Sequence, residues 1–371
     1  MTWSVESVEP AWSGARSTGM RVALGQGATP SDEYLAFARQ LGLSGVQFNT
    51  PLIPGEERWE LPDLVALRER CESYELRLEA IENVPNTFYE KAMLGLAGRD
   101  EEIENLQFTI RNLGKAGIPI LGYNFLPGSV WRTSVGGSGR GGALVSGFDL
   151  AVATDPARSA EIFVSRRDRR LEGAKDSFVQ GAHFRRDLEL DDEAMWSNYR
   201  YFIDAIAPVA EEAGVRLALH PDDPPVPTLG GIARIFRSVD ALKRALEINP
   251  SPALGLDLCL GTVSEMGGEG SVLEAIEYFG KRGQIVYVHF RDVRGTVPRF
   301  EECFLGEGNY DPLRVMRALR SAGFAGFVLD DHVPHIVNDS DYSHRGRAHA
   351  IGLIQGLLIA VTDEASDQAG I

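Results

Sequence analysis

The chain has 371 residues, 44% of them hydrophobic and 24% charged, and a formal net charge of −16. That length buries a large core, and the acidic balance argues against nucleic acid or an anionic membrane surface as the main partner. Three cysteines, Cys71, Cys259 and Cys303, make neither a disulfide framework nor a C-x-x-C motif, which points to a reducing compartment, the cytoplasm. The opening MTWSVESVEPAWSG has no basic region followed by an apolar core and does not read as a secretory signal. No apolar run approaches the ~18 residues of a membrane span.

Taken in order, short apolar runs alternate with amphipathic stretches. Strands are predicted at 20–24, 45–49, 76–84 and 118–126, then at 215–220, 253–259, 284–291 and 326–331. Helices are predicted from a Ser31 cap to Leu41, then at 61–71, 99–116, 193–213, 232–246, 272–279, 312–321 and 346–361. Alternating β and α implies parallel strands, and eight such units predict one (β/α)₈ TIM barrel over the whole chain. No G-x-G-x-x-G turn follows the first strand, which lowers the dinucleotide-fold reading. The rhythm breaks after the fourth strand. Residues 127–190 carry no useful period and read as a long insertion, either a lid or an oligomer contact. Its arginine-rich part, Arg166 to Arg186, is the one basic region; it reads as a lid over an anionic substrate, a contact within a homo-oligomer, or a solvated loop.

The last four strands end in metal-ligand residue types. Leu217-Ala218-Leu219-His220 runs into Pro221, and strands cannot continue through the prolines at 221, 224 and 225. Cys259, His289 and Asp331 close the next three apolar runs, each about one βα unit further on. In a barrel these ends share one mouth. His220, Cys259, His289 and Asp331 are therefore predicted to hold one divalent transition metal, supplied from one side so that positions stay open for substrate. Taken singly, a strand-end histidine is more often structural and Cys259 more often a small buried hydrophobe.

Other polar residues gather at the same end. Asp222 and Asp223 either hold His220 and orient substrate hydroxyls or cap the turn before Pro224. Asp257, two residues before Cys259, faces the same side as an interior support. Glu82, Asn83 and Asn124 read as hydroxyl readers or supports. Trp131 and Arg132 suit an acidic sugar, the ring covering C–H groups and the guanidinium forking to a carboxylate; loop packing is the alternative. His332 beside Asp331 is a general acid or base, and Tyr342 a proton donor. Arg347 is a candidate anchor for a substrate carboxylate, and His335 a loop-surface residue.

With these residues in view, the chain resembles the mannonate dehydratase family of xylose-isomerase-like barrels. The resemblance rests on IENVP (81–85), RDEEIEN (99–105), AGIPILGYNFLP (116–127), WRTS (131–134), LHPDDPPVP (219–227), VHFRDV (288–293), DDHVP (330–334) and the segment from Tyr342 to Arg347. It implies the same four metal ligands, His332 and Tyr342 as acid and base, and a divalent ion, typically manganese. Iron(II) and cobalt(II) suit the same mixed donor set. The implied reaction removes water from D-mannonate to give 2-keto-3-deoxy-D-gluconate. Many members read Arg-Pro-Asp-His at strand eight, where this chain has Leu329-Asp330-Asp331-His332, and many place a histidine after the Val-Pro of strand three, where Asn86 to Tyr89 follow. The same features admit two other readings, a metal-dependent sugar isomerase or epimerase and a non-catalytic sugar-acid-binding barrel.

Overall fold

The computed structural model describes residues 19–165, 178–180 and 188–369. The amino-terminal stretch and nearly all of the Arg166–Arg186 stretch, with the lid and contact readings placed on it, lie outside the described residues.

Eight parallel strands close into a barrel: β1 (Arg21–Gly27), β2 (Gly45–Asn49), β3 (Arg77–Glu82), β4 (Ile120–Tyr123), β5 (Arg216–Leu219), β6 (Leu254–Cys259), β7 (Ile285–His289) and β8 (Phe327–Leu329). Each pairs with its sequence neighbours, and β8 closes on β1 through Arg21 opposite Phe327. The strands are buried on both faces, so they read as apolar runs rather than alternating ones. Small residues (Ala23, Ala80 and Ala218) line the barrel interior beside a Tyr287–Phe327 stack with centroids 4.9 Å apart. At the foot of the barrel, buried Glu79 accepts two bonds from Arg21, at 2.8 and 2.6 Å.

A helix follows each strand: α1 (Asp32–Gln40), α2 (Leu61–Glu72), α3 (Arg99–Ala116), α4 (Asp192–Ala213), α5 (Val239–Ile248), α6 (Leu260–Gly280), α7 (Pro312–Ser321) and α8 (His344–Ala369). Their starts follow from capping. Ser31 Oγ accepts from Tyr34 N at 3.1 Å, Ser238 caps α5 through Ala241, and Asp311 caps α7. Two helices start far from where the sequence places them, and the last runs on to Ala369, past the expected 361. The helix predicted from 232 starts at Val239, because Ile232–Ala233 instead pairs antiparallel with Thr228–Leu229 across Gly230 and Gly231, both at positive φ. The helix predicted from 272 begins at Leu260, directly off β6, and is kinked where Gly267 and Gly268 leave helical geometry.

The insertion after β4 is more ordered than its composition suggests. Strands Ser134–Ser138 and Leu144–Asp149 join a hairpin that follows β7, Val293–Thr296 with Arg299–Glu302, in one four-stranded antiparallel sheet. Phe300 sits opposite Phe148, and their rings stack with centroids 5.7 Å apart. With Trp131 and Val226 they form a second apolar core over the barrel mouth. The strands find partners about 150 residues away, which no local pattern in a glycine-rich segment reveals.

Candidate metal centre and the cavity beside it

His220 is the first residue past β5. Its N–H still bonds Tyr123 O at 2.8 Å, so the ring stays level with the end of β4 before Pro221 turns the chain away. Nδ1 donates to Pro221 O at 2.6 Å, which leaves Nε2 to face the barrel axis as a potential ligand. Cys259 ends β6 and caps α6 at once: Sγ accepts from Thr262 N at 3.5 Å and Thr262 Oγ1 at 3.2 Å. His289 ends β7 and is the register partner of Cys259. One ligand atom from each of His220, Cys259 and His289 lies within 4.8 Å of the others. Asp331, two residues past β8, brings Oδ2 to 3.6 Å from His289 Nδ1. All four predicted ligands are buried at the mouth, three of them in one cluster and Asp331 beside His289.

The donor set suits a cation. Burial disfavours a charged sulfur, but Arg291 and then His220 outweigh it and hold the Cys259 thiol well below its usual range. Its place at the first turn of α6 adds the favourable end of the helix dipole. Burial lowers the basicity of His220, yet the adjoining Cys259 and Asp257 raise its pKa to about 9. Burial opposes ionisation of Asp331, and His332, His289 and Arg291 outweigh it, keeping the carboxylate ionised. His289 Nε2 donates to Glu82 Oε2 at 2.9 Å, while its Nδ1 is buried with no hydrogen-bond partner among the described residues. A buried imidazole nitrogen with no hydrogen-bond partner among the described residues, beside a thiolate and a carboxylate, suits a cation. Two imidazoles, one thiolate and one carboxylate fit a divalent transition metal.

Glu82 orients His289 and is itself tied down by Gln47 Nε2 at 2.5 Å and Asn49 Nδ2 at 3.2 Å. Asp257 Oδ2 lies 3.3 Å from the same His289 nitrogen, the interior support expected of it. Gly122 on β4 makes room for this layer: a Cβ there would overlap Tyr287 Oη and come within 3.1 Å of Glu82 Cγ.

Next to the ligands lies a buried ionic lattice that sequence reading missed. Arg291 donates to Asp331 Oδ2 (2.8 Å), Asp223 Oδ2 (2.7 Å), Glu265 Oε1 (3.1 Å) and Glu302 Oε1 (3.0 Å). It lies two residues after His289 in VHFRDV, on the same side, which was the only local signal. Glu265 comes from the first half of α6 and Glu302 from the hairpin after β7, and neither stands in a motif.

This lattice takes up several residues expected to touch substrate. Arg132 forks to Asp223 at 2.6 and 2.9 Å and bonds Glu302 at 2.8 Å, fully buried, so it is committed to the protein's own carboxylates rather than to a substrate carboxylate. Asp223 is held in turn by both arginines. Asp222 Oδ2 accepts from Phe236 N at 2.8 Å and fixes the loop after β5, and burial pushes its carboxyl up to about 6. Trp131 packs inside the second core with Nε1 on Gly128 O at 3.1 Å, which is the loop-packing alternative. Arg347 bonds Asp330 Oδ2 at 2.6 Å and Asp331 O at 3.2 Å, bracing the end of β8. Among the described residues, Asn83 keeps a buried Oδ1 without a partner, and both side-chain polar atoms of buried Asn124 lack one.

A cavity of about 420 Å³ opens beside the ligands, lined among others by Asp331, His332, Tyr342, Arg347, Glu302 and Val145. His332 is partly exposed there: Nδ1 lies 2.8 Å from Glu302 Oε1, and Nε2 lies 3.9 Å from Asp331 Oδ1. Tyr342 reaches over β1, its hydroxyl donating to Gly25 O at 2.6 Å. His335 walls the cavity by pairing its backbone with Leu144 in both directions, at 3.0 and 2.9 Å.

Known proteins resemble this chain over most of its length. The family model described as D-mannonate dehydratase (UxuA) matches residues 25–368. Mannonate dehydratase of Thermotoga neapolitana is 34% identical over 305 residues, covering 78% of this chain and 81% of the relative. That of Thermotoga maritima is 33% identical over the same share of both chains. The crystal structure of mannonate dehydratase from Streptococcus suis serotype 2 superposes with a TM-score of 0.78 at 28% identity, covering 93% of this chain and 96% of that one. An L-ribulose 3-epimerase, at 16% identity and a TM-score of 0.56 over 94% of this chain and 97% of that chain, shares the barrel fold. No described helix is long and apolar enough to cross a membrane. On the matched family model and the identity to its members, this chain belongs to the D-mannonate dehydratase (UxuA) family.

Proposed function

We propose that the protein is a hydro-lyase that removes water from D-mannonate to give 2-keto-3-deoxy-D-gluconate. The observation that carries the reading is the buried cluster of His220, Cys259 and His289, with Asp331 beside it, next to the His332–Tyr342 cavity in a chain of this family. His220, Cys259, His289 and Asp331 hold the divalent ion, manganese in our reading. When bound, that ion supplies electrostatic stabilisation for the negative charge that develops beside the substrate carboxylate.

The chain's own groups move the protons. His332 Nε2 takes the C2 proton. As the C3–O bond breaks, Tyr342 Oη gives its proton to the departing hydroxyl, which leaves as water. The C2–C3 enol then becomes the ketone by losing its hydroxyl proton and gaining one at C3, and exchange with solvent restores both side chains. The side-chain oxygen of Asn83 and the amide of Asn124, without partners among the described residues, read sugar hydroxyls at the barrel mouth. The compartment we assign is the cytoplasm, since Cys71, Cys259 and Cys303 are all free thiols.

Incubating manganese-loaded protein with D-mannonate and assaying the keto acid tests the reading. We expect stoichiometric 2-keto-3-deoxy-D-gluconate. Folded, metal-loaded protein that yields none overturns the substrate assignment.

A further inference from the structure

We infer that Glu302 is a positioning residue for the dehydration: it accepts the Nδ1 proton of His332 and thereby leaves Nε2 as the bare nitrogen facing the substrate cavity. The inference rests on the assignment of His332 as the base.

The hydrogen count in the lattice decides the tautomer. His332 Nδ1 lies 2.8 Å from Glu302 Oε1 and 3.2 Å from Arg132 Nη2. One neighbour is an acceptor and the other a donor, so proximity alone is ambiguous. Arg132 Nη2 carries two hydrogens. Both are already directed at carboxylates, to Asp223 Oδ2 at 2.9 Å and Glu302 Oε1 at 2.8 Å. None is left for His332. Glu302 is ionised, since it accepts from the buried guanidiniums of Arg291 at 3.0 Å and Arg132 at 2.8 Å, whose charges outweigh the burial that opposes its own. An ionised carboxylate only accepts, so the hydrogen in the 2.8 Å contact belongs to His332 Nδ1.

The fold explains how a residue outside the barrel reaches this point. Strand Arg299–Glu302 lies in the sheet over the mouth, and residues two apart share a face. Phe300 is buried against Phe148, with the Arg132 guanidinium 5.3 Å from its ring centre. Glu302, two residues on, is 2% exposed and points the same way, into the lattice. His332 comes from the loop after β8. The insertion after β4 and the hairpin after β7 therefore serve the chemistry, because they bring Arg132 and Glu302 to a base carried by a third segment.

The test combines kinetics of Glu302→Ala with nitrogen NMR of the unsubstituted protein. For E302A, we expect kcat for D-mannonate to fall about 100-fold, with KM within about threefold and the bound metal per chain unchanged. A role confined to folding would lower stability and leave kcat of the folded fraction intact. Because removing one carboxylate from beside two buried arginines can prevent folding, the second measurement needs no Glu302 variant. Full-length protein labelled with ¹⁵N-histidine and loaded with diamagnetic Mg²⁺ should show neutral His332 as the Nδ1–H tautomer, its resonance assigned by its loss in H332Q. An Nε2–H tautomer, or E302A kcat within about threefold of the unsubstituted protein, overturns the inference. Absence of turnover in the unsubstituted enzyme would instead overturn the assigned reaction, and the tautomer would still be read independently.

Discussion

At the scale of single residues, the centre is a set of donors whose protonation is arranged for a cation. His220, with a metal-free pKa of about 9, is protonated at neutral pH. An ion binding Nε2 must displace that proton. Affinity should therefore rise with pH up to about 9 and level off above it. Calorimetric titration with Mn²⁺ at about pH 7 in buffers of different ionisation enthalpy should show at least one proton released per ion; zero release would show that His220 is not a ligand. Glu82 acts on the same ion through His289. Replacing it with glutamine keeps the volume but removes the charge that fixes the ring, and should weaken Mn²⁺ affinity about 10- to 100-fold. A competition titration with a fluorescent chelator reads the change directly.

At the scale of elements, strand ends carry the donors and strand interiors make room for their supports. Gly122→Ala puts a methyl group where Tyr287 Oη stands. Tyr287 is wedged against Phe327, so it has little freedom to yield. We expect a loss of about 1–3 kcal/mol in urea unfolding, together with weaker metal binding, because Glu82 borders the same space. Unchanged stability would mean that the interior layer yields more readily than its packing indicates. Helices with clear periodicity, such as α3 and the Asp311-capped α7, are legible to the residue. The starts of α5 and α6 depend on a Gly230–Gly231 hairpin and a Gly267–Gly268 kink, where composition does not reveal which way the backbone turns.

For the whole molecule, the centre ties β5 to β8 at one end of the barrel, and a bound ion favours the folded chain over the unfolded one. Dialysis against a chelator should lower Tm, and adding Mn²⁺ at about 100 times its Kd should restore about 2.7 kcal/mol of stability. Scanning calorimetry at fixed protein concentration checks this; a Tm indifferent to both treatments would argue against a high-affinity site. The sheet over the mouth joins residues 134–149 to 293–302. It closes the cavity wall and gives the barrel its second core.

Sequence alone determined the barrel, because eight repeats of an apolar run and an amphipathic stretch each state their own local structure. It also singled out His220, Cys259, His289 and Asp331 as candidate ligands, since each ends or closely follows a strand and a closed parallel barrel gathers strand ends at one mouth. Only the tertiary structure decided the roles of Arg132, Asp223 and Arg347. Their side chains suit a sugar acid as well as they suit Glu302, Arg291 and Asp330, and which partner they meet is settled by loops packing from distant parts of the chain. Glu302 shows the same limit most plainly: nothing around it marks the site, and its contact with His332 exists because two loops pair into one sheet.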